Sequence, residues 1–316
     1  MSTYPKFKEL KMNERTATVC LLQAVNEAET KSGKPYCRLT LSDGESVITA
    51  NIWDRKKEEI RIPEKSLVGV EMYPKPYNDT ISYEVYKYMP APSDAQIEDF
   101  VIHAPYKGED MYEDILKVVS SACDSPLSDL VKGIYEENKE KLLYWSAAKA
   151  VHHACYGGLL YHTMRMVRAA LVLCRVYTGI KKDVLLAGVA LHDIGKLVEL
   201  DTDSLGVADY SVDGTLFNHA YLGMRMVEQK AAVLGTPEEL TRQVLHIIAS
   251  HHGQLEWGAM CLPATPEASL VHEIDMIDSR QYQYEEQLKD LAPGELSERV
   301  FGLGAKVYRP LEERGE

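Results

Sequence analysis

The chain has 316 residues, which is enough for two domains that each bury a hydrophobic core. Its 45% hydrophobic and 26% charged residues are ordinary for a soluble globular protein and exclude a disordered or membrane-embedded class. The net charge of −13 falls almost entirely on the later part of the chain, because residues 1–90 carry 14 Lys and Arg against 13 Asp and Glu, so nucleic acid is not excluded as a partner.

Targeting and redox signals are few. Residues 1–6 are too polar for a secretory signal, and no apolar run approaches the roughly 20 residues that cross a bilayer. We therefore expect a cytoplasmic protein with no membrane partner. The six cysteines include no CxxC pair, so we expect reduced thiols and no zinc knuckle.

The first 90 residues predict short β-strands. Each segment is rich in β-branched and aromatic residues, and the segments are residues 16–22, 35–41, 46–53, 67–73 and 80–88. Turn signals lie at Ser42-Asp43-Gly44 and at Asn78-Asp79. Five strands, with an insertion between the third and fourth, predict an OB-fold barrel.

Aromatic side chains on such a barrel can stack on the bases of a single strand. The candidates in the strand region are Tyr36, Trp53, Tyr73, Tyr77, Tyr83, Tyr86 and Tyr88. Several of them must fill the barrel, because alternation along a strand sends about half of the side chains inward. We select Tyr36, Trp53 and Tyr83 as predicted nucleic-acid contacts.

Prolines mark the join between two domains. Pro90 and Pro92 end the strand region, and from about residue 108 the apolar period changes from two to 3.6. We predict an OB-fold domain over 1–92, a linker over 93–108 and an all-α domain over 109–316.

A helix predicted over 183–193 is apolar nearly all round, which is typical of a buried central helix. It carries His192 and Asp193 in its last turn, and Gly195 is placed to end it. Burying an unpaired carboxylate is costly, so this pair needs a metal ion or another counter-charge. A structural His–Asp hydrogen bond is the alternative for the pair alone.

Two further helices each present a histidine near their beginning. Gly157 and Gly158 precede a helix in which His162 lies on the side of Leu159 and Met166. Asn218 is placed to cap a helix that opens with His219.

A later helix presents two adjacent histidines at its end. Thr236 and Pro237 predict its start, with a capping box and proline at the first position. His251 falls on the apolar stripe of this helix, and His252 lies 100° round from it. His246 faces away, which indicates a surface or packing role.

Asp275 lies in the last strong helix, with Asp278 one turn on as the competing candidate. Separate helices that each present an imidazole or carboxylate inward indicate a metal centre more strongly than any single motif. The predicted ligands are His162, His192, Asp193, His219, His251, His252 and Asp275.

The ordered pattern H…HD…H…HH…D resembles the HD superfamily of metal-dependent phosphohydrolases, in the version with a second metal site. The flanking segments narrow the resemblance; they read KAVHHACYGGL at 149–159 and AP…EDMY at 104–112. Together with the barrel in front, the chain resembles the YhaM-type 3′→5′ exoribonuclease family over nearly its whole length.

This resemblance implies release of nucleoside 5′-monophosphates from the 3′ end of single-stranded RNA, often DNA as well. Water would be activated by two divalent ions, with Mn²⁺ favoured and Co²⁺, Fe²⁺ or Zn²⁺ also accepted by such ligands. It implies that Asp193 bridges two ligand sets, His162, His192 and Asp275 for one ion and His219, His251 and His252 for the other.

The same resemblance assigns Lys196 to the scissile phosphate. His152 or His153 would add a phosphate contact or act as an acid. Arg165 would help Lys196 to neutralise charge on the phosphate oxygens.

Two other function classes stay open. One is an HD phosphohydrolase of small nucleotides or cyclic dinucleotides with a regulatory barrel, since a fold does not fix a substrate. The other is a non-enzymatic nucleic-acid-binding protein with a structural metal. A homo-oligomer that forms a channel for the strand is also left open.

Overall fold

The computed structural model describes residues 4–30, 32–77, 80–122, 126–149, 153, 155–203 and 205–311. The chain divides into two compact units, Met1–His103 with Leu205–Val207 and Ala104–Ser204 with Ala208–Glu316. Residues 93–103 of the predicted linker therefore group with the first unit. The domain boundaries drawn from the sequence stay a prediction.

The first unit contains a closed β-barrel. Its strands are β1 Thr16–Glu29, β2 Pro35–Ser42, β3 Val47–Trp53, β4 Ser66–Tyr77 and β5 Thr80–Pro90. Their order around the barrel is β1-β2-β3-β5-β4, and β4 pairs with β1 to close it. The β3–β5 pair is parallel and the other pairs are antiparallel. The predicted OB-fold barrel is confirmed.

Alternation along the strands fills the barrel. On β2 the residues Cys37, Leu39 and Leu41 are buried, and on β4 the same spacing buries Val68 and Val70. Side chains of a strand point alternately to its two faces, so this period of two places one row of each strand inside. The barrel interior is therefore packed mainly with aliphatic side chains.

The predicted turn at Ser42-Asp43-Gly44 joins β2 to β3. Asp43 is buried, and its carboxylate accepts hydrogen bonds from the backbone N–H groups of Ser46 at 2.7 Å and Phe7 at 2.6 Å. Gly44 has φ +85°, and a Cβ there would lie 2.2 Å from the carbonyl oxygen of Asp99. The turn therefore requires glycine. The turn predicted at Asn78 and Asp79 lies outside the described residues.

The second unit is mainly helical. Its helices are α1 Gly108–Ala122, α2 Pro126–Glu137, α3 Lys139–Leu142, α4 Gly158–Val176, α5 Lys182–Leu191, α6 Lys196–Glu199, α7 Val212–Leu216, α8 His219–Leu234, α9 Glu238–Ser250 and α10 Pro266–Asp290. Two hairpins add to the predicted all-α domain, β6 Leu200–Thr202 with β7 Ala208–Tyr210 and β8 Leu296–Val300 with β9 Ala305–Tyr308. These strands are too short for alternation to reveal them.

The predicted central helix is α5, and all of its residues from Val184 to Leu191 are buried. The helix ends at Leu191, so His192 and Asp193 lie in the turn that follows it. The predicted role of Gly195 in ending the helix is wrong, because Gly195 has right-handed φ −63° and precedes α6. Glycine is required there for another reason: a Cβ would lie 2.0 Å from the carbonyl oxygen of His219 on α8.

The helix starts agree with prediction in one case and differ in another. Asn218 caps α8, since its side chain accepts a hydrogen bond from the N–H of Tyr221 at 3.0 Å. The capping box predicted at Thr236 is wrong, because Pro237 occupies the N-cap and no side chain caps α9. Proline fixes the extended entry into the helix by its own ring.

Among the helices of the described ranges, none combines the length and apolarity that a bilayer crossing requires. The cysteines in those ranges, Cys20, Cys37, Cys155, Cys174 and Cys261, are free thiols. Cys123 lies outside the described residues.

The close approach of α6 to α8 gives a stability prediction. We expect Gly195→Ala to lower the free energy of unfolding by about 1–3 kcal/mol, because the added methyl group must push two backbones apart. Thermal unfolding followed by circular dichroism measures the change. Gly179→Ala is the matched control, since a Cβ there meets open space. Equal melting temperatures for the two variants would contradict the packing argument.

Candidate metal centre and cleft

All seven predicted ligands meet in the second unit. His162 comes from α4, His192 and Asp193 follow α5, and His219 opens α8. His251 and His252 follow α9, and Asp275 lies on α10. Residues from five separate segments of the chain thus converge, as their pattern predicted.

Three of these residues form a first set, His162, His192 and Asp275. The Nε2 atom of His162 lies 3.3 Å from Nε2 of His192 and 3.3 Å from Oδ1 of Asp275. Ligand atoms bound about 2.1 Å from one ion lie roughly 3.0–3.4 Å from one another. These two distances fit ligand atoms of one ion, and His162 and His192 form with Asp193 a group whose ligand atoms lie close enough together to hold it.

The remaining histidines form a second set, His219, His251 and His252. The Nε2 atom of His219 lies 3.3 Å from Nε2 of His251 and 3.2 Å from Nε2 of His252. Helix α9 ends at Ser250, and the two adjacent histidines in the turn that follows both reach Nε2 of His219. This set could hold a second ion.

Asp193 lies between the two sets. Its Oδ2 atom is 3.3 Å from Nε2 of His192, whereas its Oδ1 atom is 3.5 Å from Nε2 of His219. One carboxylate thus offers an oxygen to each set. A bridging carboxylate of this kind is what a two-metal centre requires.

The hydrogen bonds of the imidazole Nδ1 atoms show which ring nitrogens are available to bind a metal ion. The Nδ1 atoms of His192 and His251 lie 2.8 Å and 2.7 Å from the backbone carbonyls of Val189 and Ile248. A carbonyl only accepts, so each Nδ1 carries the proton and each Nε2 presents a lone pair. His192 and His251 thus each present an Nε2 acceptor to a second imidazole Nε2 at 3.3 Å, and a cation placed between the rings stabilises this arrangement. The donor set therefore fits divalent metal ions.

Two carboxylates accept hydrogen bonds from the Nδ1 atoms of these rings, and the sequence analysis did not predict this role for either of them. Glu199 on α6 is buried and accepts hydrogen bonds from the backbone N–H of His219 at 2.9 Å and from its Nδ1 at 3.0 Å. An acid inside the apolar run Leu197-Val198-Glu199-Leu200 is the signal that could have revealed it.

Asp278 is the second of these carboxylates, and it competed with Asp275 in the sequence. The structure separates their positions: Asp275 faces Nε2 of His162, whereas Oδ2 of Asp278 lies 2.7 Å from Nδ1 of the same ring. Asp275 is therefore placed to bind an ion, and Asp278 orients the imidazole.

Charge within the cluster shifts its pKa values in opposite directions. Burial works against the carboxylate of Asp193, but Lys196 and His192 outweigh it and hold the pKa well below its usual range. Burial and the neighbouring His252 lower the pKa of His251 well below that of free histidine. Burial opposes protonation of His162 as well, yet Asp275 and Asp278 raise its pKa to about 9. An ion at the first set would therefore displace a proton from His162.

Lys196 lies at the same centre. Its Nζ atom is 2.6 Å from Oδ2 of Asp193, and the Asp193 charge raises the pKa of the lysine despite burial. The side chain also lines the cleft above the cluster, which has a volume of about 380 Å³. A fixed positive charge beside the bridging carboxylate could neutralise an anionic ligand.

The structure places His153 behind the cluster. Its ring is fully buried, and its Nε2 atom lies 2.8 Å from Oδ2 of Asp278. This geometry favours an orienting role through Asp278 over the predicted contact with substrate. His152, the other candidate, lies outside the described residues.

Arg165 also contacts Asp278. Its Nε donates to Oδ1 of that carboxylate, and its guanidinium pairs with Glu285 at 2.6 Å. Among the described residues that line the cleft, neither Arg165 nor His153 is included. The predicted phosphate contact of Arg165 stays a prediction, and the observed pairs compensate the charge of Asp278.

The barrel carries a separate groove. Trp53 is 43% exposed, its ring lies 4.8 Å from that of the buried Tyr36 at an inclination of 35°, and its Nε1 donates to Glu84 at 2.7 Å. Tyr83 packs against the barrel core. Tyr86, from the wider candidate set, is 45% exposed and lines the same groove as Trp53. Of the three aromatic residues predicted as contacts, Trp53 is the exposed one that lines the groove.

Comparisons with known proteins show similarity to a domain family and to a protein of nearly the same length. The HD domain family matches residues 159–280, which include all seven predicted ligands. The 3′-5′ exoribonuclease YhaM of Geobacillus sp. (strain WCH70) is 30% identical over 315 residues, covering 96% of each chain.

A likeness among solved structures concerns the barrel. The second OB-fold domain of replication protein A from Methanococcus maripaludis covers 29% of this chain and 98% of its own, with 18% identity and a TM-score of 0.24. The barrel assignment rests on its strand order and not on this likeness.

The contact between Glu199 and His219 gives a metal-binding prediction. We expect Glu199→Ala to weaken Mn²⁺ binding about 10- to 100-fold, because His219 loses the acceptor that orients its ring. Isothermal titration calorimetry measures the affinity. Glu228→Ala removes an exposed carboxylate from α8, the helix that carries His219, and serves as control. An unchanged affinity in a folded Glu199→Ala protein would show that the ring needs no such support.

Proposed function

This chain belongs to the YhaM family of HD-domain 3′-5′ exoribonucleases, and we propose that it removes nucleotides hydrolytically from the 3′ end of single-stranded RNA. The observation that carries the proposal is the pair of ligand sets that share Asp193. Two such sites side by side suit in-line displacement at a phosphodiester, in which the attacking and leaving oxygens both need stabilisation. Similarity over 96% of the chain supports the same reaction as well as the same fold.

Divalent metal ions would be held by the first set and the second set, with Asp193 contributing one oxygen to each. When bound, they supply Lewis-acid activation of water and charge neutralisation at the phosphate. Imidazole with carboxylate suits Mn²⁺, which we favour, as well as Co²⁺, Fe²⁺ and Zn²⁺. The fixed Nδ1 protons of His192 and His251 support this assignment, because the Nε2 lone pairs of these two rings are aimed into the cluster.

The protein groups around the cluster would hold the substrate and the reacting charges. Lys196 is fixed beside Asp193 and lines the cleft, so it is placed to contact a phosphate oxygen. Glu199 and Asp278 keep the imidazoles oriented during the reaction. The products would be a nucleoside 5′-monophosphate and a strand shortened by one residue with a free 3′-hydroxyl.

The barrel would bind the upstream part of the strand. Trp53 and Tyr86 line a groove that also contains Arg55 and Lys87, which combines ring faces with positive charge. Stacking on aromatics tolerates any base, so this surface would bind RNA with little sequence preference and could bind single-stranded DNA as well.

A time course on 5′-labelled single-stranded RNA with Mn²⁺ tests the reaction. We expect a ladder that shortens from the 3′ end, stops when EDTA removes the metal, and is blocked by a 3′-phosphate. Asp193→Ala should reduce the rate by at least about 1,000-fold, since both ligand sets lose their shared oxygen. Asp201→Ala, at an exposed position, should retain the wild-type rate.

Two results would contradict the proposal. Wild-type rates in a metal-loaded Asp193→Ala protein would remove the assigned site. Intact RNA alongside steady hydrolysis of a small nucleotide ester would indicate the alternative function, a phosphohydrolase of small nucleotides or cyclic dinucleotides with a regulatory barrel.

The barrel groove gives a separate prediction. We expect Trp53→Ala to weaken binding of a long RNA roughly 5- to 100-fold through loss of one stacked base, and to leave hydrolysis of a small phosphodiester unchanged. Fluorescence anisotropy with a labelled strand measures the binding. Val47→Ala, an exposed position on the same strand, is the control. Equal RNA affinities for both variants would exclude a stacking role for Trp53.

A further inference from the structure

One group of side chains in the cleft takes no part in either ligand set. It comprises Tyr210, Trp257, His272 and Met276, which line the same cleft as Asp193 and Lys196. Trp257 remains 55% exposed although it lines a cleft. A large indole left in contact with water at a concave site is informative, because such rings are usually buried or meet a ligand.

The backbone fixes Trp257 relative to the second set. The residue ends the short 3₁₀ turn Leu255–Trp257, which begins three residues after His252. The turn lies between Gly253 with φ +75° and Gly258 with φ +97°, and a Cβ at Gly258 would approach Nδ1 of His252 to 3.3 Å. The indole is therefore held close to the ligands by a short, closely packed segment.

His272 ties this segment to helix α10. Its Nδ1 donates to the backbone carbonyl of His251 at 2.9 Å, and its ring packs so tightly on Gly253 that a Cβ there would lie 2.3 Å from the ring. The rings of Trp257 and His272 are 6.1 Å apart and inclined by 37°. One wall of the cleft is thus a pair of aromatic rings anchored to the metal-binding histidine.

We propose that Trp257 is the platform on which the base of the bound nucleotide stacks, with His272 supporting it. The inference rests on the proposed function, in which that nucleotide is the 3′-terminal residue of the strand. Its phosphate must lie at the ligand sets, so its nucleoside must occupy the rest of the cleft. The cleft volume of about 380 Å³ falls within the range of roughly 300–1,000 Å³ that is usual for small-ligand sites.

This arrangement has consequences for the choice of substrate. A flat indole accepts any of the four bases, so the platform adds affinity with little sequence preference. It also requires that the terminal base leave its neighbours, which a base-paired 3′ end resists. The platform would therefore select single-stranded ends at the cleft itself.

Two 5′-labelled RNA strands that differ only in their last residue test the role of the base. One ends in adenosine and the other in an abasic residue. For removal of the last residue by the Mn²⁺-loaded wild type, we expect a kcat/KM roughly 5- to 100-fold higher on the strand that ends in adenosine than on the strand that ends in the abasic residue. Trp257→Ala should remove most of this ratio, and Trp257→Phe should keep part of it. Leu255→Ala, an exposed position in the same turn, is the control and should keep the wild-type ratio. A wild-type ratio in Trp257→Ala would overturn the inference.

Calorimetric binding of AMP and of ribose 5-phosphate separates this inference from the proposed function, because it needs no turnover. We expect the Mn²⁺-loaded wild type to prefer AMP by a similar factor and Trp257→Ala to bind both ligands alike. If the wild type leaves RNA intact but shows this Trp257-dependent preference, the exonuclease proposal fails and the platform stands. If RNA is degraded while AMP and ribose 5-phosphate bind equally, the platform fails and the exonuclease stands.

Discussion

Burial of one carboxylate among facing imidazoles is the constraint on which the helical unit depends. Asp193 is 4% exposed and follows a helix with no polar face, so its charge is compensated by the neighbouring His192 and Lys196 and by side chains that other helices bring to it. Lys196 supplies one such charge, and the Nε2 acceptors of His192 and His251 beside the carboxylate are placed to hold a cation. Helices α4, α8, α9 and α10 must therefore begin, end or pass close to Asp193. This explains why their histidines and Asp275 lie at helix ends or on buried helix faces.

The two ligand sets differ in the groups that surround them. The first set has two acids close to one ring, since Asp275 and Asp278 both contact His162 and raise its pKa. The second set consists of three imidazoles, with Glu199 behind only one of them, and burial together with the neighbouring rings lowers the pKa of His251 and of His252. The first position is consequently the more negative of the two. An ion there would meet a stronger field and would release a proton on binding.

Net charge and ligand recognition are connected in this protein. The net charge of −13 leaves lysine and arginine a local role in attracting a polyanion, such as that of Arg55 and Lys87 in the barrel groove. Aromatic stacking depends little on charge, and exposed tryptophans line both the barrel groove, at Trp53, and the cleft, at Trp257. Each indole is held by neighbours that fix its plane, a carboxylate acceptor for one and a packed imidazole for the other.

The sequence by itself determined the architecture and the set of histidines and aspartates that converge at one place. Period two before residue 90 and period 3.6 after residue 108 are local properties, and an imidazole on an apolar helix face is visible without coordinates. Tertiary structure alone decided the positions that depend on a few ångströms between distant segments. It placed Asp275 at Nε2 of His162 and Asp278 at Nδ1 of the same ring. It also brought Glu199 into contact with His219, buried His153 against Asp278, and placed Trp257 in the cleft. Periodicity specifies which way a side chain faces, whereas these roles depend on how far it reaches across a packed interior.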